Sequence, residues 1–383
     1  MINFIRFWNH KPTVLVFIHL IQDLDLVLPL LVGLQYRNDL VPQVCVLDQI
    51  LNKSPRIKSA LQKLGIKYSK VSRLGVLTGV EPNLLNIQGL ITASESTAGP
   101  HKAAYALTKR ANKSGILTYT LQHGFENVGL NYFDDLYTAK NTRFASQKVL
   151  TWGDTALLPE ELAHETQSKC IAVGCPKYVN STTTPKVEFS NPGNYLIVIF
   201  ENLHWERYSE EYRILFLQDL EKTARHFPDT TFLVKPHHAG VWLTDKYQGQ
   251  LPQGNNIIIA NPRNPQWEVF TAPALIAIAD GAITTPSTVA LDAAKYKCPV
   301  SVISYGLNLE KYEPLPLINE LADWINFVET LQTTEGRLAI QQKADVYIKR
   351  NLIAGNAVTR ILDLIANDIQ KKNISNPIPK KCL

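Results

Sequence analysis

The stretch HKAAYALTKRANKSGILTYTLQHG, residues 101–124, carries the reading of the fold. Its first part predicts a helix over about His101–Lys113 and its second a strand over Ile116–Leu121, with His123 and Gly124 just beyond the strand. The same alternation runs outward in both directions. Strands are predicted at Val14–Phe17, Val44–Leu47, Gly89–Ala93, Lys148–Trp152 and Cys170–Val173, with helices after Asp25 and over Ile50–Leu64. Strands that alternate with helices need crossover connections, which imply parallel pairing with helices on both sheet faces.

Residues 180–194, NSTTTPKVEFSNPGN, break this rhythm with Ser, Thr, Asn and Pro, which satisfy their own backbone in turns and supply little core. The pattern then restarts. Tyr195–Phe200 predicts a strand and Tyr208–Phe227 a helix with an apolar stripe at positions 212, 216, 220, 224 and 227. Further strands are expected at Thr231–Val234, Asn256–Ala260, Ala282–Thr284 and Val300–Ser304. Helices follow Pro265 and Pro286 and cover about Ile318–Leu331, Ile340–Leu352 and Ala357–Ile369. The expected organisation is an α/β chain with a Rossmann-like domain over 1–180, a linker over 181–194, a second Rossmann-like domain over 195–356 and a terminal helix and polar tail over 357–383. A length of 383 residues fits two such cores.

The composition excludes several classes. With 45% hydrophobic and 19% charged residues the chain is globular, and a net charge of +5 without a long basic run speaks against a nucleic-acid partner. The apolar run Val14–Leu20 is interrupted by Gln22, Asp23 and Asp25, well short of the roughly 20 residues of a membrane span. No cleavage signal follows it, so no signal peptide is expected. The five cysteines (45, 170, 175, 298, 382) form no CxxC pair, which points to a reducing cytoplasm rather than a disulfide framework. Lys371, Lys372, Lys380 and Lys381 could add a weak peripheral attraction to an anionic membrane face, about 1 kcal/mol per charge.

In open parallel sheets ligands gather beyond the carboxyl ends of the strands, so residues just after each strand are the candidates. Gln122-His123-Gly124 follows one strand; the glycine permits a sharp turn, and histidine suits general-base work near neutral pH. Glu95 follows another and is a candidate carboxylate. Glu201-Asn202 follow the first strand of the second half. Lys235-Pro236-His237-His238 bring up to three donors to one strand end, a set suited to nucleotide phosphates. Adjacent histidines on an extended chain point to opposite sides and no carboxylate is near, so no metal is called for. Thr285, Ser287 and Thr288 place hydroxyls at the start of a helix, where free N–H groups form a phosphate seat; Thr285 as an N-cap accounts for the same pattern. GxGxxG, Walker A, HExxH and GxSxG motifs do not occur.

Taken together, His-Gly after a strand, Lys-Pro-His in the second half and D-x-x-x-T-x-x-S-T before a helix resemble GT-B-type transferases of bacterial surface polysaccharides. The nearest are CDP-glycerol glycerophosphotransferases and capsular transferases that use CMP-Kdo or CMP-sialic acid. The resemblance spans most of residues 115–305. It implies a GT-B-like fold, two Rossmann-like parallel-sheet domains facing a central cleft. It also implies His123 as a base or a neighbour of the reacting groups, Lys235 and His237 on the nucleotide phosphates, and Ser287 and Thr288 on the donor phosphate. Phe125-Glu126-Asn127 stands where the glycerophosphotransferases have Thr and then Lys, and Thr285-Pro286-Ser287-Thr288 where they have Asp-Tyr-Ser-Ser. Both departures favour transfer of a sugar, an acidic one among the candidates.

The expected function is therefore a metal-independent, cofactor-free glycosyltransferase that moves a sugar from a CMP- or CDP-activated donor to a surface polysaccharide or glycolipid acceptor. Gln122, Gly124, Glu201 and Asn202 would line the cleft, and His123 or Glu95 would take the acceptor proton. Two alternatives are a UDP-GlcNAc 2-epimerase-like enzyme, with Glu95, Glu126 and Glu201 as its carboxylates, and a non-catalytic nucleotide- or glycan-binding partner.

Overall fold

A computed structural model describes residues 11–177, 188–237 and 240–375. His238, residues 181–187 of the expected linker, and Lys380 and Lys381 lie outside these. The chain divides into two units: residues 1–123, 127–178 and 352–383 form the first, and 124–126 and 179–351 the second. The terminal helix, Ala357–Ser375, is thus part of the first unit rather than a separate appendage.

The first unit carries seven strands: β1 (Thr13–Ile18), β2 (Val41–Leu47), β3 (Tyr68–Val71), β4 (Ile87–Ala93), β5 (Leu117–Leu121), β6 (Lys148–Thr151) and β7 (Cys170–Ala172). They pair in parallel in the order β3-β2-β1-β4-β5-β6-β7. The central strand β1 is fully buried from Val14 to Ile18, as a parallel strand covered on both faces must be. The helix Lys102–Lys113 buries Ala103, Ala104, Leu107 and Ala111, a three- and four-residue spacing that makes one apolar face. It ends where Gly115 takes a left-handed conformation (φ +73°).

The single helix expected over 50–64 is two helices, Asp48–Lys53 and Pro55–Lys63. Ser54 is extended because the following proline ring disfavours helical geometry before it, and Pro55 then opens the next helix. Strand β3 escaped the sequence reading because it is short and its middle residues, Ser69 and Lys70, are exposed.

The terminal helix is tied into the first unit by apolar burial and by charge. Ile361, Leu362, Ile365 and Ile369 are buried, and Asp368 accepts hydrogen bonds from Tyr119 Oη (2.8 Å) and Lys148 Nζ (2.5 Å). Lys372 Nζ bonds the carbonyl of Gly115, so one basic pair of the tail is half engaged within the fold.

The second unit carries β8 (Tyr195–Glu201), β9 (Thr230–Pro236), β10 (Ile257–Ile259), β11 (Gly281–Thr284), β12 (Val300–Ile303) and β13 (Leu317–Ile318). Their order, β10-β9-β8-β11-β12-β13, is again parallel. The helix Glu210–His226 is capped by Ser209, whose Oγ accepts the Tyr212 N–H at 3.1 Å. Its stripe of Tyr212, Phe216, Leu220 and Ala224 packs with Trp324 and Phe327 of the helix Leu321–Leu331. The helix expected after Pro265 is only a turn, Pro265–Trp267, and the next helix is Ala272–Ile276. In both sheets the strand order reverses beside the first strand, at β1/β4 and at β8/β11, which is where such sheets leave room for a ligand.

Because Ile365 is fully buried, Ile365→Ala should destabilise the first unit by about 2–5 kcal/mol, the cost of lost transfer energy and a residual cavity. Urea denaturation followed by circular dichroism reads this directly, with the larger effect expected in the transition of the first unit.

Candidate functional site

In the first unit, three imidazoles converge at the carboxyl ends of the central strands. His19 is the first residue after β1, and His123 lies two residues after β5. His101 comes from the turn that opens the helix Lys102–Lys113. The ring centroids of His19 and His101 are 6.0 Å apart, as are those of His101 and His123. The loop holds His123 firmly: Asn127 Oδ1 accepts its backbone N–H (2.7 Å), and Asn131 Oδ1 accepts that of Asn127 (2.7 Å).

His101 Nδ1 lies 3.0 Å from the Ser94 carbonyl. A carbonyl can only accept, so Nδ1 carries the proton. Burial drives the pKa of His101 down to about 3, aided by the neighbouring His19 and His123, and burial likewise lowers His123 to about 4. Both rings are therefore neutral at pH 7, and the buried Nε2 of His123 has no hydrogen-bond partner among the described residues. Ser94, immediately after β4, has φ +87°, strained for a residue with a Cβ, and its buried hydroxyl is also unpartnered.

Glu95, the expected proton acceptor, is placed elsewhere. It is fully buried, and Oε1 accepts the N–H groups of Ala145 and Ser146 (3.2 Å to the latter). Burial raises its pKa to about 8 against the opposing pull of these hydrogen bonds. Its carboxyl thus pins the 145–146 backbone instead of facing the imidazoles. Gln122 is similarly engaged, its Oε1 accepting the Trp152 N–H at 2.8 Å.

Gly124–Glu126 belong to the second unit. Phe125 N–H donates to Thr288 Oγ1 (2.8 Å), and a Cβ at Gly124 would stand 2.6 Å from the same oxygen, so this approach requires glycine. Glu126 pairs with Arg207 and with Lys311 Nζ (2.9 Å). Burial alone would raise its pKa; the two cations outweigh it and hold the carboxyl below its usual range.

At the second unit's own reversal point, Asn202 and Thr285 stitch the ends of β8 and β11 together. Thr285 Oγ1 donates to Asn202 Oδ1 (2.6 Å), as does Tyr208 Oη (2.6 Å), and Asn202 Nδ2 donates to the Pro286 carbonyl (3.0 Å). Thr285 is neither the N-cap nor an open donor. The cap is Ser287, whose Oγ accepts the Val289 N–H (3.1 Å) at the start of the helix Thr288–Lys295. Glu201 accepts the Leu203 N–H (2.7 Å), and burial raises its pKa to about 7. Lys235 Nζ donates to the Trp267 carbonyl (3.0 Å), and burial lowers its pKa to about 8. His237 stacks on His204 with centroids 4.9 Å apart.

The structure thus brings Glu201, Asn202, Thr285 and Ser287 to one strand-end cluster, and Lys235 and His237 to the neighbouring strand end. His19, Asp23 and His101 were missed. The signal for His19 was present, since it directly follows β1. Among the described residues no group of three or more His, Cys, Asp or Glu could hold a metal ion, and no helix is long and apolar enough to cross a membrane.

No protein-family model and no curated protein matches the chain. Solved structures do. A putative UDP-N-acetylglucosamine 2-epimerase from Listeria monocytogenes is 13% identical with a TM-score of 0.66, covering 94% of this chain and 98% of that one. UDP-GlcNAc 2-epimerase from Neisseria meningitidis, bound to UDP-GlcNAc, is 13% identical with a TM-score of 0.62, covering 93% and 100%. The wall teichoic acid polymerase TagF is 15% identical with a TM-score of 0.56, covering 94% and 90%. At these identities the likeness establishes the fold: two Rossmann-like α/β units of GT-B type.

The imidazoles also set a pH dependence. The native values of His101 and His123 lie below the ordinary 6.5, so the unfolded chain binds more protons as pH falls below about 6.5. Their contribution is complete above that pH and is lost progressively down to about pH 4. Glu95 acts oppositely: its native value of about 8 exceeds the ordinary 4.5, so its contribution is lost as pH rises through 8. Urea midpoints measured from pH 4.5 to 8.5 should fall at both ends, with His123→Ala flattening the acid side and Glu95→Gln the alkaline side.

Proposed function

We propose that this chain processes a nucleotide-activated sugar, transferring it to a hydroxyl of a surface polysaccharide or glycolipid. The observation that carries this reading is the cluster of buried imidazoles at the β1/β4/β5 strand ends, in which burial keeps His123 neutral and its Nε2 has no partner among the described residues. A neutral imidazole with a free ring nitrogen can accept a hydroxyl proton, a contribution of about 10²–10⁴ in rate. His123 is a member of this set that would lie beside the reacting groups, in keeping with the resemblance of its His-Gly turn to that of surface-polysaccharide transferases.

Within the second unit, a candidate phosphate seat supports the nucleotide part of the reading. The start of the helix Thr288–Lys295, with Ser287 and Thr288, offers partial positive charge to a phosphate, and Lys235 and His237 lie at a neighbouring strand end. Stabilising the charge that develops on the leaving phosphate is worth about 3 kcal/mol per well-placed donor. Thr285 has no part in this, because Asn202 occupies its hydroxyl hydrogen. No step requires a metal.

A second reading is 2-epimerisation of UDP-GlcNAc, favoured by the likeness to epimerases, one of them bound to that nucleotide sugar. Against it, all three carboxylates considered for that chemistry are engaged internally: Glu95 by Ala145 and Ser146, Glu126 by Arg207 and Lys311, and Glu201 by Leu203. CMP- or CDP-linked donors support transfer through the sequence resemblance; UDP-linked donors fit both readings.

Thermal shifts with CMP, CDP, UDP and GDP test the class. A ligand at about 100 times its Kd stabilises the native state by about 2.7 kcal/mol, and a shift with at least one of the four, independent of magnesium, is expected. Absence of any shift would overturn the nucleotide-sugar reading. Turnover of UDP-GlcNAc without an acceptor would decide for epimerisation. His123→Ala should lower turnover by about 10²-fold or more while leaving the nucleotide shift intact.

A further inference from the structure

His19 stands apart from the other two imidazoles because a carboxylate accompanies it. Its Nδ1 lies 2.8 Å from Asp23 Oδ2, and both residues are buried, 2% and 0% exposed. Asp23 is fixed by the backbone: Oδ2 accepts the N–H groups of His19 and Leu20, both at 2.9 Å. It is also the first residue of the helix Asp23–Tyr36, where the helix end favours negative charge. Phe17 stacks on the His19 ring with centroids 5.5 Å apart, and His101 meets it edge-on at 6.0 Å. These contacts restrict the ring's orientation.

Two further facts point to a ligand. Among the described residues His19 Nε2, which is buried, has no hydrogen-bond partner, and neither has Asp23 Oδ1. A buried polar atom left unpaired costs about 1–3 kcal/mol, so an edge that keeps several of them is arranged for something that is not part of the chain. His19 Nδ1 is at ion-pair distance from Asp23 Oδ2, outside hydrogen-bond alignment. The location agrees, since His19 ends β1, the strand at which the sheet order reverses.

Resting on the transferase reading above, we propose that His19, oriented by Asp23, takes the proton from the attacking acceptor hydroxyl. With the Nδ1 proton directed at Asp23, Nε2 presents a lone pair. In the step, the hydroxyl oxygen forms a bond to the anomeric carbon and its proton passes to Nε2. The bond from that carbon to the phosphate oxygen breaks, and its electron pair leaves with the nucleotide. Asp23 stabilises the imidazolium so formed. Among the described residues His123 forms no ion pair with a carboxylate, and it serves the reacting groups as a neutral hydrogen-bonding imidazole, while His101 is fixed by the Ser94 carbonyl.

The first test uses the unaltered chain. Nitrogen-15 spectra of histidine-labelled protein, assigned with His19→Gln, report the tautomer of His19. A proton on Nδ1 that changes position in Asp23→Asn is expected; a proton on Nε2 at neutral pH would overturn the proposal, because that nitrogen could not accept another. The second test measures nucleotide release from whichever CMP-, CDP- or UDP-activated sugar gives a thermal shift. His19→Gln and Asp23→Asn should each lower kcat by about 10²-fold or more with the nucleotide shift unchanged. Turnover within threefold of the unaltered chain in both variants would sink the role of His19 while leaving the transferase reading standing. Absence of any nucleotide shift would sink that reading, and the tautomer measurement would still decide the pairing of His19 with Asp23.

Discussion

A parallel sheet covered by helices on both faces has no place for polar chemistry along its strands, and this constraint organises both units. Residues 14–18 of β1 and residues 196–200 of β8 are at most 5% exposed. Their backbone groups are used by neighbouring strands and their side chains by the core. Buried polar residues within the strands are mostly hydroxyls such as Thr92, Thr120 and Ser301, and larger polar side chains gather where the strands stop. His19 follows β1, Ser94 and Glu95 follow β4, His123 follows β5, and Asn202 and Thr285 follow β8 and β11. The reversal of strand order beside β1 and beside β8 opens the layer of crossover helices at those points, which is why these strand ends carry most of the unusual groups.

Concentrating polar groups at a buried edge has an electrostatic cost, and the protein meets it in three ways. The imidazoles of His101 and His123 remain neutral, because desolvation disfavours their charged forms. Glu126 keeps its charge by compensation from Arg207 and Lys311. Asp23 is served by two backbone N–H groups and the adjacent His19. Glu95 and Glu201 are intermediate: each accepts backbone hydrogen bonds, yet burial dominates and raises both. A carboxyl near neutrality in pKa is often read as a catalytic acid. Here each of the two has a structural partner within its own unit, so the shift reports desolvation.

How far this was legible in the sequence varied with the range of the interaction concerned. The strands β1, β2, β4, β5, β8, β9 and β11 read clearly because each is an apolar run bounded by turn residues, a local property. β3 and β13 were missed because one is polar and exposed at the sheet edge and the other spans two residues. The break at Ser54-Pro55 was readable from the proline rule, but the apolar spacing across it suggested continuity. His123 and its turn were found by position. Val14–Phe17 reads as a strand in the sequence, but His19 lies two residues beyond that expected end and carries no motif, so it was not among the candidates.

Chain order and local chemistry by themselves determined the alternation of strands and helices, the two-unit organisation, and the set of strand ends that are candidates for functional groups. Those features depend on periodicity and turn chemistry within a few residues, so they need no knowledge of partners. Only the tertiary structure decided which side chains remain available. Glu95 is taken by the backbone of a loop 50 residues away, Thr285 by Asn202 across 83 residues, and the terminal helix by the first unit through Asp368 and Tyr119, 249 residues apart. The physical reason is the same in each case: burial forces a polar group to find a partner, and the fold, not the neighbouring sequence, determines which partner is within reach.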